Sequence, residues 1–119
     1  MPLAAGFPSG RRIKRRQDFQ QVYDQGRRVS SRLMTVFILA REGADTRLGI
    51  AATRKLGGAV VRNRAKRLVR EIFRRHPHPP GLDIVVIPRA PLLEATFQDI
   101  ETEYAASLDR RARQSRGPR

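Results

Sequence analysis

The sequence predicts one small α+β domain, with helices packed on a four-stranded mixed sheet in the order α-β-β-β-α-β-α. Three observations predict it. Apolar residues recur at helical spacing in three segments, and four others are short apolar or alternating runs bounded by turn residues. The 119 residues supply one core that buries most of its surface, but not two. That order of elements gives a layer of helices on a sheet.

Residues 1–16 begin with Pro, Gly and Ala and turn basic at Arg11, Arg12, Lys14, Arg15 and Arg16, without periodicity, which reads as a flexible basic arm. The folded domain is expected over 17–109. In Gln17 to Gln25 the apolar residues Phe19, Val22 and Tyr23 fall at i, i+3 and i+4, and Gly26 stands where a C-cap glycine would, so a short helix is predicted. Arg27 to Ser31 adds a small edge strand. Leu33 to Ala40 is apolar and β-branched on both faces, which suits a strand covered on two sides. Gly43 lies in a polar turn. Arg47 to Thr53 is the next strand, with Leu48, Ile50 and Ala52 on one face and the shallow set Arg47, Gly49, Ala51 and Thr53 on the other. Small side chains there admit either a ligand backbone or a closely packed helix.

Gly57-Gly58 breaks the pattern, and Ala59 to Arg75 is helical in period. At about 100 degrees per residue, Val61, Ala65, Leu68, Val69 and Ile72 gather on one side, with Phe73 at its border. The opposite arc holds Arg62, Asn63, Lys66, Arg67, Arg70 and Arg74. His76-Pro77-His78-Pro79-Pro80-Gly81 must be a loop. Asp83 to Pro88 reads as a buried strand. The last helix runs from Leu92 to about Arg111, with Leu93, Phe97, Ile100, Tyr104 and Leu108 as its apolar stripe and acids on its other face. Residues 110–119 read as a disordered basic tail.

Charge narrows the function. Lys and Arg number 25 against 11 acids, a net +14 that self-repels unless a polyanion supplies the counter-charge. No apolar run approaches the roughly 20 residues that span a bilayer, no signal-peptide stretch follows the N-terminal charges, and there is no Trp to anchor an interfacial helix. A cytoplasmic protein with no membrane partner is expected. Zero Cys removes disulfides, thiolate metal sites and cysteine nucleophiles together.

Arg62, Lys66, Arg70 and Arg74 recur every four residues and stack into a ridge, with Asn63 and Arg67 in a row beside it. Only Glu71 can neutralise any of them within the helix. Like charges at this spacing cost a few tenths of a kcal/mol each, and a merely solvated face would intersperse acids, as the last helix does. Arg forks suit bidentate phosphate contacts and stacking, and Asn63 offers donor and acceptor to a base edge or 2′-hydroxyl, so RNA is the expected partner.

The stretch from Lys55 through Gly57-Gly58 and Arg62-Asn63-Arg64-Ala65-Lys66-Arg67 to Arg70 closely resembles the signature of the bacterial ribonuclease P protein component. Asp18 to Gly26 resembles that family's first helix and Asp83 to Arg89 its last strand. Together the resemblance spans about Ile13 to Leu108. It implies a protein that joins ribonuclease P RNA and helps it remove 5′ leaders from precursor tRNA, with the catalytic centre and the Mg²⁺ held mainly by the RNA. It implies ribozyme contacts at Lys55, Arg62, Asn63, Arg64, Lys66, Arg67 and Arg70, and a leader cleft at Phe19, Tyr23 and Phe37. It also implies a left-handed crossover from the third strand through the basic helix to the fourth, against the general right-handed rule. Two positions depart from the family, which often has Asn where this chain has Arg16 and Gly58.

Read from spacing alone, Phe19 and Phe37 favour core packing and Tyr23 is divided between core and edge. The Gly57-Gly58 turn lacks the Lys-Ser/Thr ending of a nucleotide-binding loop. His76 and His78 are split by Pro77 with no third ligand nearby, and the acids lack the arrangement of a two-metal nuclease. No catalytic residue, resident cofactor or obligate protein partner is expected in this chain. A ribosomal protein or assembly factor is the alternative that the same basic helix would serve, and a stand-alone nuclease is disfavoured.

Overall fold

The structure, a computed structural model, describes residues 11–43 and 45–116, with side chains as far as Asp109. The order is α1 (Arg16–Gln25), β1 (Arg27–Ser30), β2 (Met34–Ala40), β3 (Arg47–Ile50), α2 (Ala59–Arg75), β4 (Leu82–Pro88) and α3 (Phe97–Arg116), with a 3-10 turn at Ala90–Glu94. The sheet order is β1-β2-β4-β3. β2 is antiparallel to both β1 and β4, while β3 and β4 are parallel, so the sheet is mixed as the sequence predicts.

One sheet face carries the main core. Val36, Ile38, Leu48, Ile84 and Val86 meet Ala65, Val69, Ile72 and Phe73 of α2 and Ile100 and Tyr104 of α3. Burying side chains of this size stabilises by about 1.5–3 kcal/mol each, which outweighs the few tenths of a kcal/mol that each like-charge pair along α2 costs. The other face is covered only in part: Val85 meets Ile13 and Val22, and Phe19, Tyr23, Phe37 and Leu39 pack around them half-buried. The shallow face of β3 is therefore met by helix α1.

The hand of the β3–α2–β4 crossover follows from chirality. Seen from the α2 side with β3 running upward, an L-residue whose side chain points at the viewer directs its N–H and C=O to the right. Leu48 points into that core, and its carbonyl accepts from Ile13 N–H at 2.9 Å, away from β4. β4 therefore lies to the left of β3, and the crossover is left-handed, against the rule that holds for nearly all such units.

Several expected boundaries change. The flexible arm expected over 1–16 does not reach that far: Arg12 bridges Leu48 in parallel fashion, Ile13 is buried, and α1 begins at Arg16. The cause is Ile13, an apolar anchor that finds a gap beside β3. Residues 1–10 lie outside those described. β3 stops at Ile50 rather than Thr53; Ala51 N–H still donates to Val86 O at 3.0 Å, after which the chain turns away. The last helix starts at Phe97, not Leu92, because Thr96 accepts Asp99 N–H on its hydroxyl and resets the chain as an N-cap. At its far end the predicted disordered tail is instead helical to Arg116, since no Gly or Pro interrupts the chain before Gly117-Pro118. Residues 117–119 lie outside those described.

Candidate nucleic-acid interface

Helix α2 presents its cations and Asn63 on more than one side. Arg62, Lys66 and Arg70 are half-buried, and Lys66 and Arg70 share a hollow with Phe19 of α1; Asn63, Arg67 and Arg74 are exposed. Arg64, also exposed, lies on the opposite flank by about 100 degrees per residue. Glu71 is ion-paired with Arg74 and lies 3.9 Å from Arg75. Arg62 Nε is buried without a hydrogen-bond partner among the described residues. Burial lowers the Arg70 pKa, and the charge of Arg12 lowers it further. The N-terminus of α2 has Gly58 as N-cap, with no side-chain cap. Gly57 before it has φ +147°, and a Cβ there would come 2.9 Å from Val61 Cγ1, so glycine is required at 57. Lys55 is exposed in the preceding turn.

Across from this helix, Phe19 separates two hollows. One, of about 330 Å³, is lined by Arg16, Phe19, Gln20, Tyr23, Ile50 and Ala51. The other, of about 270 Å³, is lined by Arg12, Ile13, Lys14, Phe19, Leu48, Ile50, Lys66 and Arg70. Phe37 lines neither; its ring meets Tyr23 edge-on at 5.1 Å and backs the cleft. Burial raises the Tyr23 pKa, so its hydroxyl stays protonated and can donate.

Arg47 fixes α1 over the sheet. Its guanidinium donates to both carboxylate oxygens of buried Asp83, at 2.9 and 2.8 Å, and lies 3.8 Å from Asp18, the neighbour of Phe19. Arg41 Nε lies 2.7 Å from the same Asp83. The hydrogen bond to Asp83 raises the Arg47 pKa. A bidentate fork of this kind gives direction as well as energy, so it fixes the Arg47 side chain, whose guanidinium also lies near Asp18 of α1.

Among the described residues no group of three His, Cys, Asp or Glu could hold a metal ion, and no helix is long and apolar enough to cross a membrane. His78 stacks on Phe73 at 4.3 Å between ring centroids, and its Nε2 lies 2.7 Å from the Tyr104 hydroxyl. Burial, with His76 and Arg11 nearby, lowers its pKa to about 4, so the ring that meets Tyr104 is uncharged at neutral pH.

The structure thus joins Phe19 and Tyr23 in one cleft and divides the predicted α2 set between a cleft-facing row and outward-facing residues. Sequence reasoning missed Arg12, Lys14, Arg16, Arg47 and Asp83. Ile13 was the available signal for the first two, a lone apolar residue inside the basic stretch. Arg47 and Asp83 become partners only through the parallel register of β3 on β4.

The family described as Ribonuclease P matches residues 7–112. The ribonuclease P protein component of Symbiobacterium thermophilum is 45% identical over 102 residues, covering 83% of this chain and 89% of that protein. That of Halalkalibacterium halodurans is 37% identical over 93 residues, covering 76% and 78%. Among solved structures, the RNase P protein from Thermotoga maritima superposes with a TM-score of 0.75 at 37% identity, covering 83% of this chain and 96% of that one. The Staphylococcus aureus RNase P protein superposes at 0.71 and 36%, covering 89% and 95%.

Proposed function

Because the chain belongs to the bacterial ribonuclease P protein family, the protein part of the ribonucleoprotein that matures tRNA 5′ ends, we propose that two of its surfaces divide the work. The outward-facing residues Lys55, Asn63, Arg64 and Arg67 bind the ribozyme RNA, and the hollow at Phe19 and Tyr23 holds the single-stranded leader of precursor tRNA. The observation that carries this reading is the separation itself: Asn63, Arg64 and Arg67 are exposed on α2 and line neither hollow, whereas Phe19 and Tyr23 line an aromatic hollow to which α2 contributes nothing.

Each surface suits its ligand. Folded RNA is met through phosphates and 2′-hydroxyls, which Arg forks and an Asn amide satisfy, whereas unpaired bases stack on aromatic rings for about 1–3 kcal/mol each. The chain contributes binding, and the phosphodiester hydrolysis is carried by the RNA with its Mg²⁺. Positive charge at the leader and ribozyme offsets phosphate repulsion and lowers the Mg²⁺ needed. Such work takes place in the cytoplasm.

Reconstitution tests it. Purified chain is mixed with precursor tRNA, with and without ribonuclease P RNA, at low Mg²⁺. The reading requires cleavage only when the RNA is present, and more of it with the chain than without. Cleavage by the chain alone overturns it, and an RNA unaffected by the chain favours a ribosomal or assembly role.

A further inference from the structure

Arg11 lines neither hollow, yet its side chain joins the segment ahead of α1 to two other parts of the fold. Its Nε donates to the carbonyl of Thr46 at 2.8 Å, just ahead of β3, and its guanidinium carbon lies 5.3 Å from the centroid of the Phe73 ring on α2. Both anchors are rigid. Thr46 is buried, with its hydroxyl donating to Pro79 O at 2.6 Å and accepting from Leu82 N–H at 3.2 Å. Phe73 belongs to the main core, and His78 stacks on it. A guanidinium that donates to a carbonyl and sits over an aromatic ring is held in direction as well as in distance. Two residues on, Ile13 donates its N–H to Leu48 O at 2.9 Å, and its side chain packs with that of Phe19 over Gly49. Five cations in residues 11–16 repel one another, and Arg70 meets Arg12 with a like charge. Against that repulsion the segment needs an anchor besides the Ile13 side chain.

We propose that Arg11 is a positioning residue, a latch that keeps the segment ahead of α1 docked beside β3 in the free chain, so that the surroundings of Phe19 are formed before substrate arrives. This rests on the leader reading above and adds to it a residue that lines neither hollow. Without the latch, residues 11–14 must be ordered at the moment of binding, and the entropy lost then weakens the complex. Phe19 also loses Ile13 as a fixed packing neighbour, which leaves the ring less sharply placed for a base. The effect falls on the substrate rather than the ribozyme, because Asn63, Arg64 and Arg67 stand on α2 itself and do not depend on the segment.

The latch is read directly by amide hydrogen exchange at Ile13 in the free chain, and its consequence by the affinity of the reconstituted holoenzyme for precursor over mature tRNA. Three variants are compared with the unaltered chain. Arg11→Gln shortens the side chain and removes its charge, Arg11→Lys keeps a donor and a cation for the ring, and Arg15→Gln removes the same charge from an exposed side chain of the segment. Arg11→Gln is expected to speed exchange at Ile13 by about tenfold, to leave Val36 and Val86 in the two central strands unchanged, and to lower the precursor preference by about three- to fivefold. Arg11→Lys is expected to recover both to within about twofold, since an ammonium also meets a carbonyl and a ring face. Arg15→Gln should leave Ile13 exchange as it is. Exchange at Ile13 that Arg11→Gln does not alter overturns the latch. So does exchange at Val36 and Val86 that rises in step with Ile13, which makes Arg11 a stabiliser of the whole domain. A preference that falls equally in Arg15→Gln and Arg11→Gln assigns the loss to charge and overturns it too. An unaltered holoenzyme with no preference for leader-bearing tRNA defeats the leader reading itself, and this is a separate result because Ile13 exchange is read without RNA.

Discussion

Gly49 lies directly beneath the ring of Phe19: a Cβ at Gly49 would stand 2.7 Å from Phe19 Cε1 and 2.8 Å from Cζ. The missing side chain on β3 is what lets the ring settle between the two hollows. Gly49→Ala is therefore expected to push Phe19 outward, destabilising the domain by about 1–3 kcal/mol and weakening the preference for leader-bearing tRNA. Thermal unfolding followed by circular dichroism reads the first effect and competition binding the second. An alanine variant with unchanged stability and preference would show that the close approach matters to neither.

Asp83 holds Arg47 and Arg41 from inside the sheet. Asp83→Asn leaves two guanidiniums without their carboxylate. Breaking a wholly buried pair costs roughly 3–5 kcal/mol, and the partial exposure of both Arg side chains reduces the expected loss to about 2–3 kcal/mol. Urea unfolding measures it. Because Arg47 also reaches toward Asp18, the variant should lose leader preference at temperatures where it is still folded, whereas ribozyme affinity should hold.

His78 gives the domain a pH dependence whose sign is fixed. Its pKa falls from 6.5 in the unfolded chain to about 4 in the fold, so between those values the unfolded state binds the extra proton. The stabilisation is full above pH 6.5 and is lost as pH drops toward 4. Allowing for the partly exposed ring, the loss is about 1–2 kcal/mol. His78→Gln should flatten the dependence of the unfolding midpoint on pH between 4 and 7. A slope identical to that of the unaltered chain would place its origin elsewhere.

Arg64 and Arg67 are both exposed on α2. Arg64→Ala with Arg67→Ala is expected to weaken ribozyme binding and to reduce the slope of log affinity against log salt by about 1–2, since each phosphate that a cation neutralises releases about one counterion. Titrations at several salt concentrations check this. An unchanged slope would mean that these residues do not meet phosphate.

Much of this architecture was legible because periodicity and burial agree. α2 runs over Ala59–Arg75 as its apolar spacing predicts, and Val85 sits deep in the sheet because β4 is covered on both faces. The shallow face of β3 was also visible, though its two readings, ligand or helix, were settled only by Phe19 lying on Gly49. The segment around Ile13 was not legible, because one apolar residue among five cations carries no period and its place depends on a gap beside β3. Nor was the start of α3, where Leu92 and Leu93 continue the stripe but Thr96 restarts the backbone. For the site, spacing placed Arg62, Lys66, Arg70 and Arg74 in one ridge, of which the first three are half-buried while Arg74 is exposed beside Arg67. It could not say that Lys66 and Arg70 look into the cleft, because that depends on where α1 lies.

The division between ribozyme surface and leader cleft is tested most directly by the affinity of the holoenzyme for precursor tRNA relative to mature tRNA, compared between the unaltered chain and Phe19→Ala. Loss of one stacked base, about 1–3 kcal/mol, should lower that ratio by about tenfold while ribozyme affinity and the circular dichroism spectrum stay the same. A Phe19→Ala holoenzyme that loses affinity equally for both tRNAs, or keeps the full preference for precursor, would contradict a leader cleft at Phe19.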